Sequence, residues 1–202
     1  MDFTALQSAG NAFAVVDALR NPGAIEGVDL ESSASAICAE HHLDGVIFLV
    51  ALDPAQAESS GLGIRHYARV VNADGSYGQV SANGARCVTK LLVERGHESP
   101  DNQGMIRFGM GRRVVSTHIE RRDDRVRRVS VDLGPPEITL AKVPVDTSMI
   151  EGRGDRPGEW RVRGRDAFFV HVGNPHMVMF RETEWPREDV RRAGETLSND
   201  DA

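Results

Sequence analysis

Hydrophobic and polar positions group along the chain into short segments, and this pattern predicts a protein richer in strands than in helices. Most of the apolar segments contain Val, Ile and Phe and are bounded by turn residues, as strands usually are. Segments 113–120 and 125–133 alternate between apolar and polar residues around a charged turn, which indicates an antiparallel hairpin with one buried face. The predicted strands are 12–19, 45–53, 64–72, 105–110, 113–120, 125–133, and a pair at 160–172 and 177–180.

Other segments have helical periodicity instead. Val88, Leu91 and Leu92 fall on one face of the segment 85–95, and a glycine follows its end. Because strands and helices do not alternate regularly, as they do in a doubly wound sheet, we expect an α+β fold. The predicted helices are 33–42, 85–95 and a polar one at 185–197.

One break in the chain is a candidate domain boundary. The sequence Gly-Pro-Pro at 134–136 follows the predicted hairpin and is compatible with neither a strand nor a helix. A chain of 202 residues is long enough for one substantial domain or two small ones. We therefore expect one domain over 1–135 and a second over 136–202.

The composition argues against several classes of partner. The 24 basic residues are outnumbered by 30 acidic ones, and the net charge is −6, whereas a dedicated nucleic-acid-binding protein is usually basic. No apolar run approaches the roughly 20 residues of a membrane-spanning helix, and the first residues lack the pattern of a secretory signal. Cys38 and Cys87 are too few for a disulfide framework. We expect a cytoplasmic protein that binds neither nucleic acid nor membrane.

Segment 72–87 carries the most informative chemistry. It leads from a predicted strand, through a turn and small residues, into the apolar helix. The first turn of a helix exposes backbone N–H groups and a partial positive charge, so such a terminus holds a carboxylate or a phosphate without a basic side chain. An ordinary N-cap, with Ser81 or Asn83 satisfying the first turn, explains the same residues. The residues alone leave both interpretations open.

Several motifs in this order resemble those of the diaminopimelate epimerase family. Asn-Ala-Asp-Gly-Ser at 72–76 and Asn-Gly-Ala-Arg-Cys at 83–87 resemble the first active-site motif of that family. Segment 3–17 resembles its amino-terminal strands and their Gly-Asn turn, and Gly-Asn-Pro-His at 173–176 resembles a later motif. Segment 43–47 is similar to a further strand of the family. The resemblance extends over nearly all of the chain.

The resemblance implies both a fold and a type of chemistry. The fold would consist of two similar domains with mixed sheets, each around a central helix, with the second domain incomplete here. Catalysis would need no cofactor and no metal, because one cysteine thiolate removes the α-proton of an amino acid and a second thiol protonates the opposite face. The implied partner is a small diaminopimelate-like amino acid of lysine biosynthesis, and a homodimer is compatible with the resemblance.

The resemblance also assigns positions in the substrate site. The family's substrate-contacting asparagines correspond to Asn11, Asn72 and Asn174. Ala82 and Asn83 correspond to the pair whose backbone receives the substrate carboxylate. We therefore expect the beginning of the helix that follows residue 81 to face the substrate.

The positions that transfer protons in the family are only partly retained. Ser81 stands at the position of the first catalytic cysteine, and His176 corresponds to a supporting histidine near the reacting centre. A free thiol titrates near ~8.5, whereas a serine hydroxyl needs a strong adjacent base to ionise. Cys87 corresponds to a non-catalytic cysteine of the family, and we expect both Cys87 and Cys38 to pack in the core.

A second departure concerns the segments that follow in the family. Its Glu-Arg-Gly sequence and its second catalytic motif, Cys-Gly-Thr-Gly, have no counterpart in this chain. We therefore expect impaired catalysis, and an open sheet edge with exposed apolar side chains around Phe168, Phe169 and Val178. One alternative is a non-catalytic amino-acid-binding or interaction protein derived from the same fold. Another is a different carbon-acid enzyme in which Ser81 donates a hydrogen bond and another group is the base.

Two weaker signals have ordinary explanations. His41 and His42, with Cys38 nearby on the same predicted helix, resemble part of a metal site, but no further ligands accompany them. The arginines between 121 and 128 are interrupted by acidic residues, which is typical of a solvated hairpin turn. We therefore expect neither a metal nor an RNA site at these positions.

Overall fold

The computed structural model describes residues 1–53, 63–180 and 182–198. The chain divides into two compact units, Met1–Leu133 and Gly134–Ala202. The division falls at the Gly-Pro-Pro sequence, where Gly134 adopts a positive φ of 71°, which glycine tolerates without strain. Each unit has a hydrophobic core of its own.

The first unit contains a mixed sheet of eight strands among the described residues. They are β1 (Thr4–Ser8), β2 (Asn11–Asp17), β3 (Gly45–Ala51), β4 (His66–Asn72), β5 (Tyr77–Gly78), β6 (Met105–Met110), β7 (Arg113–Arg122) and β8 (Arg125–Asp132). The order across the sheet is β1-β2-β3-β4-β6-β7-β8, and β5 pairs with β4. β2 with β3 and β4 with β6 are parallel pairs, and the other neighbours are antiparallel.

Two helices pack on the two faces of this sheet, α1 (Leu30–His41) and α2 (Ala82–Glu94). α2 packs against β1 and β2 and also against β7 and β8. Since these strands lie at opposite ends of the sheet, the sheet curls around α2. Val88 and Leu92 of this helix are fully buried, which is the result that their helical spacing predicts.

The strand β3 is buried on both faces because its residues pack alternately against the two helices. Ile47 and Leu49 belong to the core around α2, whereas Val46 and Phe48 belong to the core that includes α1. This explains why the sequence of β3 is continuously apolar rather than alternating. The α+β prediction for the fold is confirmed.

The second unit contains a smaller antiparallel sheet of four strands among its described residues. They are β9 (Ile150–Arg153), β10 (Glu159–Val162), β11 (Arg165–His171) and β12 (Pro175–Val178), in the order β12-β11-β10-β9. The helix α3 (Arg187–Ser198) follows, and none of its described side chains is buried. In the described part of this unit α3 is therefore not a central helix, which agrees with an incomplete second domain.

Two details of the predicted elements were wrong. The segment 160–172 is two strands, because Arg163 and Gly164 both adopt positive φ, 51° and 69°, and turn the chain into a hairpin. The helix predicted from residue 33 begins at Leu30, because Asp29 caps it by accepting from two backbone N–H groups.

The histidine pair does not lie on one helix. His41 is the last residue of α1, whereas His42 is its C-cap in the left-handed conformation, with φ of 55°. In the described ranges, no group of three or more His, Cys, Asp and Glu side chains is arranged to hold a metal ion. No helix in those ranges is long and apolar enough to cross a membrane.

Of the apolar residues of the second unit that were predicted to be exposed, only some are exposed. Val178 on the outer strand β12 is 36% exposed and Phe180 is 69% exposed, with the Phe180 ring packed edge-to-face on Phe168. Phe169 is only 5% exposed, because alternate residues of β11 point into the small core. The prediction for Phe169 was therefore wrong.

Close packing fixes the first turn of α2 against the sheet. A Cβ atom on Gly84 would lie 2.9 Å from Cδ1 of Ile47 and 3.2 Å from Cβ of Ser81. Ile47 is fully buried in β3, so its side chain has little room to move away. Glycine at this position therefore sets the distance between the helix and the sheet.

We expect Gly84→Ala to lower the free energy of unfolding by about 1–3 kcal/mol, because the added methyl group overpacks the contact with Ile47. We expect this loss of stability even though alanine favours a helix over glycine by about 1 kcal/mol. Urea unfolding followed by circular dichroism measures it. Gly194→Ala in α3 is the control, because a Cβ there has no neighbour within 4 Å and should not destabilise. A Gly84→Ala protein as stable as the wild type would contradict this packing.

An ion-pair cluster ties the end of α2 to β1 and β2. Arg95, the C-cap of α2, donates to Asp17 at 2.6 Å and also to the hydroxyl of Thr4, and Nε2 of His97 lies 2.9 Å from the same Asp17 oxygen. The side chain of Asp17 is only 6% exposed. Burial alone would raise the pKa of Asp17, but the hydrogen bonds from His97 and Arg95 outweigh it and hold that pKa below its ordinary value.

We expect Asp17→Asn to lower the free energy of unfolding at neutral pH by about 2 kcal/mol, because Arg95 and His97 lose an ionised acceptor. Since folding lowers the pKa of Asp17, its contribution is complete above the ordinary pKa of about 4. It is lost as the pH falls through the lowered value. Urea unfolding from neutral pH to about pH 2 should therefore show the two proteins converging in acid.

Asp124→Asn is the matched control for this comparison. Asp124 is exposed in the turn between β7 and β8 and adopts φ of 57°, a conformation that asparagine also tolerates. We expect this variant to keep the wild-type dependence on pH. A stability difference between wild type and Asp17→Asn that stays constant into acid would contradict the role of the ionised carboxylate.

Candidate active site

The helix α2 begins at Ala82, and Ser81 is its N-cap. The hydroxyl oxygen of Ser81 accepts a hydrogen bond from the N–H of Gly84 at 3.0 Å. The N–H groups of Ala82 and Asn83 precede the first intrahelical hydrogen bonds, so the helix itself offers them no acceptor. Residues 81–83 are all partly exposed, so this end of the helix is not sealed into the core. Ser81 is therefore the N-cap of α2, and the backbone N–H groups of Ala82 and Asn83 remain without an acceptor in the helix.

The chain enters α2 through a close approach between two backbone segments. A Cβ atom on Gly111 would lie 2.2 Å from the carbonyl oxygen of Gln79, so only glycine fits there, and Gly111 also adopts φ of 58°. The hydroxyl of Tyr67 donates to the carbonyl of Gly111 at 2.6 Å. The N–H of Ser81 points to the sulfur of Met110 at 3.4 Å. These contacts hold the cap in place relative to β4 and β6.

Asn11 lies beside the beginning of α2. The Nδ2 atom of Asn83 donates to Oδ1 of Asn11 at 2.7 Å, although the two residues are 72 positions apart in the sequence. Asn11 is the first residue of β2, and both side chains are partly exposed. The structure therefore brings Asn11, Ser81, Ala82 and Asn83 together in the first unit.

Asn72 is held at the end of β4 in a turn of its own. Its Nδ2 donates to the hydroxyl of Ser76 at 2.9 Å, and its backbone N–H donates to the carbonyl of the same residue at 2.8 Å. A Cβ atom on Gly78 would lie 3.4 Å from its Oδ1. Asn72 is exposed, and among the described residues its side-chain NH2 group donates to Ser76 of this turn rather than to Asn11 or Asn83.

Asn174 and His176 lie in the second unit. Nε2 of His176 is 3.2 Å from Oδ1 of Asn174; Asn174 lies in the turn between β11 and β12, and His176 is the second residue of β12. Gly173 precedes them with φ of 121°. His176 is exposed and Asn174 is partly exposed, so both are accessible from the solvent within their own unit.

Neither cysteine is suited to proton transfer. Cys87 and Cys38 are each only 3% exposed, and the prediction that they pack in the core is confirmed. Burial raises the pKa of the Cys87 thiol to about 11. Burial, together with the negative charge of Asp44, also raises the pKa of the Cys38 thiol. Both thiols are therefore protonated at neutral pH.

Sequence reasoning gave no role to Arg86, which the structure places next to the site. Its Nη1 donates to Oδ1 of Asn83 at 2.5 Å, and its Nε donates to the carbonyl of Val129 on β8 at 3.3 Å. Arg86 follows Asn83 by three positions on one helix, a spacing at which side chains are neighbours. This spacing in the sequence could have predicted the contact between Arg86 and Asn83.

The chain is similar in sequence to several diaminopimelate epimerases, although no protein-family model matches it. It is 32% identical to the diaminopimelate epimerase of Halorhodospira halophila over 89% of this chain and 56% of that protein. The enzyme of Pelotomaculum thermopropionicum is 31% identical over 89% of this chain and 60% of the relative. That of Elusimicrobium minutum is 27% identical over 100% of this chain and 67% of the relative. The chain spans between 56% and 67% of these relatives.

Solved structures of amino-acid isomerases have a similar fold. A hydroxyproline epimerase from Agrobacterium vitis, with bound trans-4-hydroxy-L-proline, matches 96% of this chain and 56% of its own, with a TM-score of 0.57 and 12% identity. A probable proline racemase from Agrobacterium radiobacter matches 88% of this chain and 51% of its own, with a TM-score of 0.54 and 13% identity. At these identities the likeness concerns the fold alone. In sequence the chain is therefore similar to diaminopimelate epimerases over most of its length, and in fold it is similar to solved proline and hydroxyproline isomerases.

Proposed function

We propose that this chain binds a diaminopimelate-like amino acid as part of a cofactor-independent amino-acid isomerase of lysine biosynthesis. The observation that carries the proposal is the end of α2, where the N–H groups of Ala82 and Asn83 lack intrahelical acceptors and Asn11 lies alongside. The named activity of the sequence relatives supports the choice of substrate. Activity, substrate and lysine biosynthesis are all parts of this proposal.

The α-carboxylate of the amino acid is the group that this terminus would hold. Two adjacent backbone N–H groups and the positive end of the helix dipole favour an anion, even in a chain with a net charge of −6. The Ser81 hydroxyl accepts from the N–H of Gly84, so in this structure its capping bond is not made to Ala82 or Asn83. Asn72 and Asn174 are proposed as further substrate contacts because the resemblance to the family assigns them that role.

Removal of the proton at the α-carbon is the step for which Ser81 offers no base. In the described structure, the hydrogen bonds of Ser81 involve the backbone of α2 and the thioether of Met110, and none of these groups is a base. A serine hydroxyl without an adjacent base stays protonated at neutral pH. We therefore propose that this chain exchanges the α-proton slowly, and that His176 has at most a supporting role. The runner-up function, a non-catalytic amino-acid-binding protein, rests on the same observation.

We expect Ala82→Pro to weaken the binding of meso-diaminopimelate by about tenfold or more, because proline removes one charge-assisted N–H donor. Proline is tolerated at the first position of a helix, and Ser81 already has the extended conformation that a following proline requires, with φ −116° and ψ 111°. Isothermal calorimetry gives the Kd, and thermal unfolding verifies the fold. Ala82→Ser keeps the N–H and should bind like the wild type. Equal affinity of Ala82→Pro and wild type would contradict the carboxylate site.

We expect Ser81→Cys to increase the incorporation of deuterium at the α-carbon of diaminopimelate in deuterated water. A thiol at a helix N-terminus ionises far more readily than a hydroxyl. Mass spectrometry measures the incorporation, and Ser99→Cys, at an exposed position outside the site, is the control. Wild-type protein should show only trace exchange. Rapid exchange by the wild type would instead favour a carbon-acid enzyme with another base.

A further inference from the structure

Three side chains form a chain of hydrogen bonds at the end of α2. Arg86 donates to Oδ1 of Asn83 at 2.5 Å, and Nδ2 of Asn83 donates to Oδ1 of Asn11 at 2.7 Å. Arg86 is itself anchored by its Nε to the carbonyl of Val129 at 3.3 Å. The chain of bonds therefore connects β8, α2 and the first residue of β2.

The chemistry of arginine sets the direction of this chain of bonds. A guanidinium has only donors, so the group of Asn83 that faces Arg86 must be its carbonyl oxygen. The NH2 group of Asn83 is then directed to Asn11, whose oxygen must accept. The NH2 group of Asn11 remains as a donor. Without Arg86, either asparagine could turn its amide over, because the two ends of an asparagine amide have nearly the same shape.

We propose that Arg86 is a positioning residue that makes Asn11 present an amide donor, and not an acceptor, beside the backbone donors of Ala82 and Asn83. The inference rests on the proposed function, because it assigns the orientation of groups at the proposed carboxylate site. A terminus that presents donors alone selects a carboxylate and rejects an ammonium group. Arg86 thus acts on substrate selection through two asparagines and without contact to the substrate.

Substitutions at Arg86 test the orientation directly. We expect Arg86→Met to release the amide of Asn83, so that its side-chain NH2 protons exchange faster in ¹⁵N NMR spectra and lose their hydrogen-bonded shifts. Arg86→Lys keeps a donor-only side chain and should retain most of the protection. Binding of meso-diaminopimelate should weaken by about tenfold in Arg86→Met and recover in part in Arg86→Lys. Arg107→Met on β6, at an exposed position, is the control.

Asn83→Asp provides a second test that does not remove Arg86. Aspartate at the second position of a helix is favourable, so the variant should fold. Its carboxylate accepts from Arg86 and from Asn11, which must turn its NH2 group inward. The NH2 protons of Asn11 should then become protected, and binding of diaminopimelate should be lost.

The two readouts separate the failure of this inference from that of the proposed function. If the amide signals respond as expected while the wild type does not bind diaminopimelate, the positioning role of Arg86 stands and the proposed function fails. If the Asn83 amide signals are the same in wild type and Arg86→Met, the positioning role is overturned whatever the affinity. Unchanged Asn11 signals in Asn83→Asp overturn it as well.

Discussion

The packing of α2 within the curled sheet is the constraint on which the rest of the first unit depends. Strands from both ends of the sheet contact this helix, so the sheet fixes both the direction of the helix axis and the position of its first turn. Gly84 allows the first turn of α2 to approach β3 closely. Gly111 allows its own backbone to approach that of Gln79, just before α2 begins. At the other end, Arg95 and His97 hold the helix to Asp17. The backbone donors at residues 82 and 83 are therefore held in place before any ligand arrives, which reduces the cost of ordering on binding.

The local electrostatics of the site differ from those of the whole chain. The protein is acidic overall, but the end of α2 combines two N–H groups that have no acceptor within the helix, the helix dipole and the guanidinium of Arg86. Ser81 adds a cap and no base, and both thiols are buried with raised pKa values. The role that we propose for this arrangement is to hold a carboxylate, and the groups that hydrogen-bond to Ser81 in the described structure include no base.

The sequence was informative wherever local pattern decides the structure. The bounds of β6 match the predicted strand because a short apolar run between turn residues has few alternatives. The hairpin at Arg163 and Gly164 was missed because a single glycine inside a strand pattern also fits a bulge, and an arginine gives no signal that its φ is positive. The start of α1 was missed because the true cap, Asp29, lies outside the apolar periodicity. In both of these missed features, the conformation of one or two residues decides where a strand or a helix begins or ends.

The contact between Asn11 and Asn83 belongs to a different category. Periodicity and spacing could not predict it, because it depends on how the sheet brings β2 to the end of α2 over 72 positions. Only the resemblance to a family placed both residues in one site. The contact between Arg86 and Asn83, in contrast, follows from helical spacing and could have been predicted from the sequence.

We propose that the end of α2 receives the carboxylate of an amino acid. The most direct measurement is a ¹⁵N–¹H correlation spectrum of the protein titrated with meso-diaminopimelate. We expect saturable shifts that are largest for the backbone amides of Ala82 and Asn83 and for the side-chain amide of Asn11. Saturable shifts concentrated elsewhere, or no saturable shift at these three groups, would contradict it.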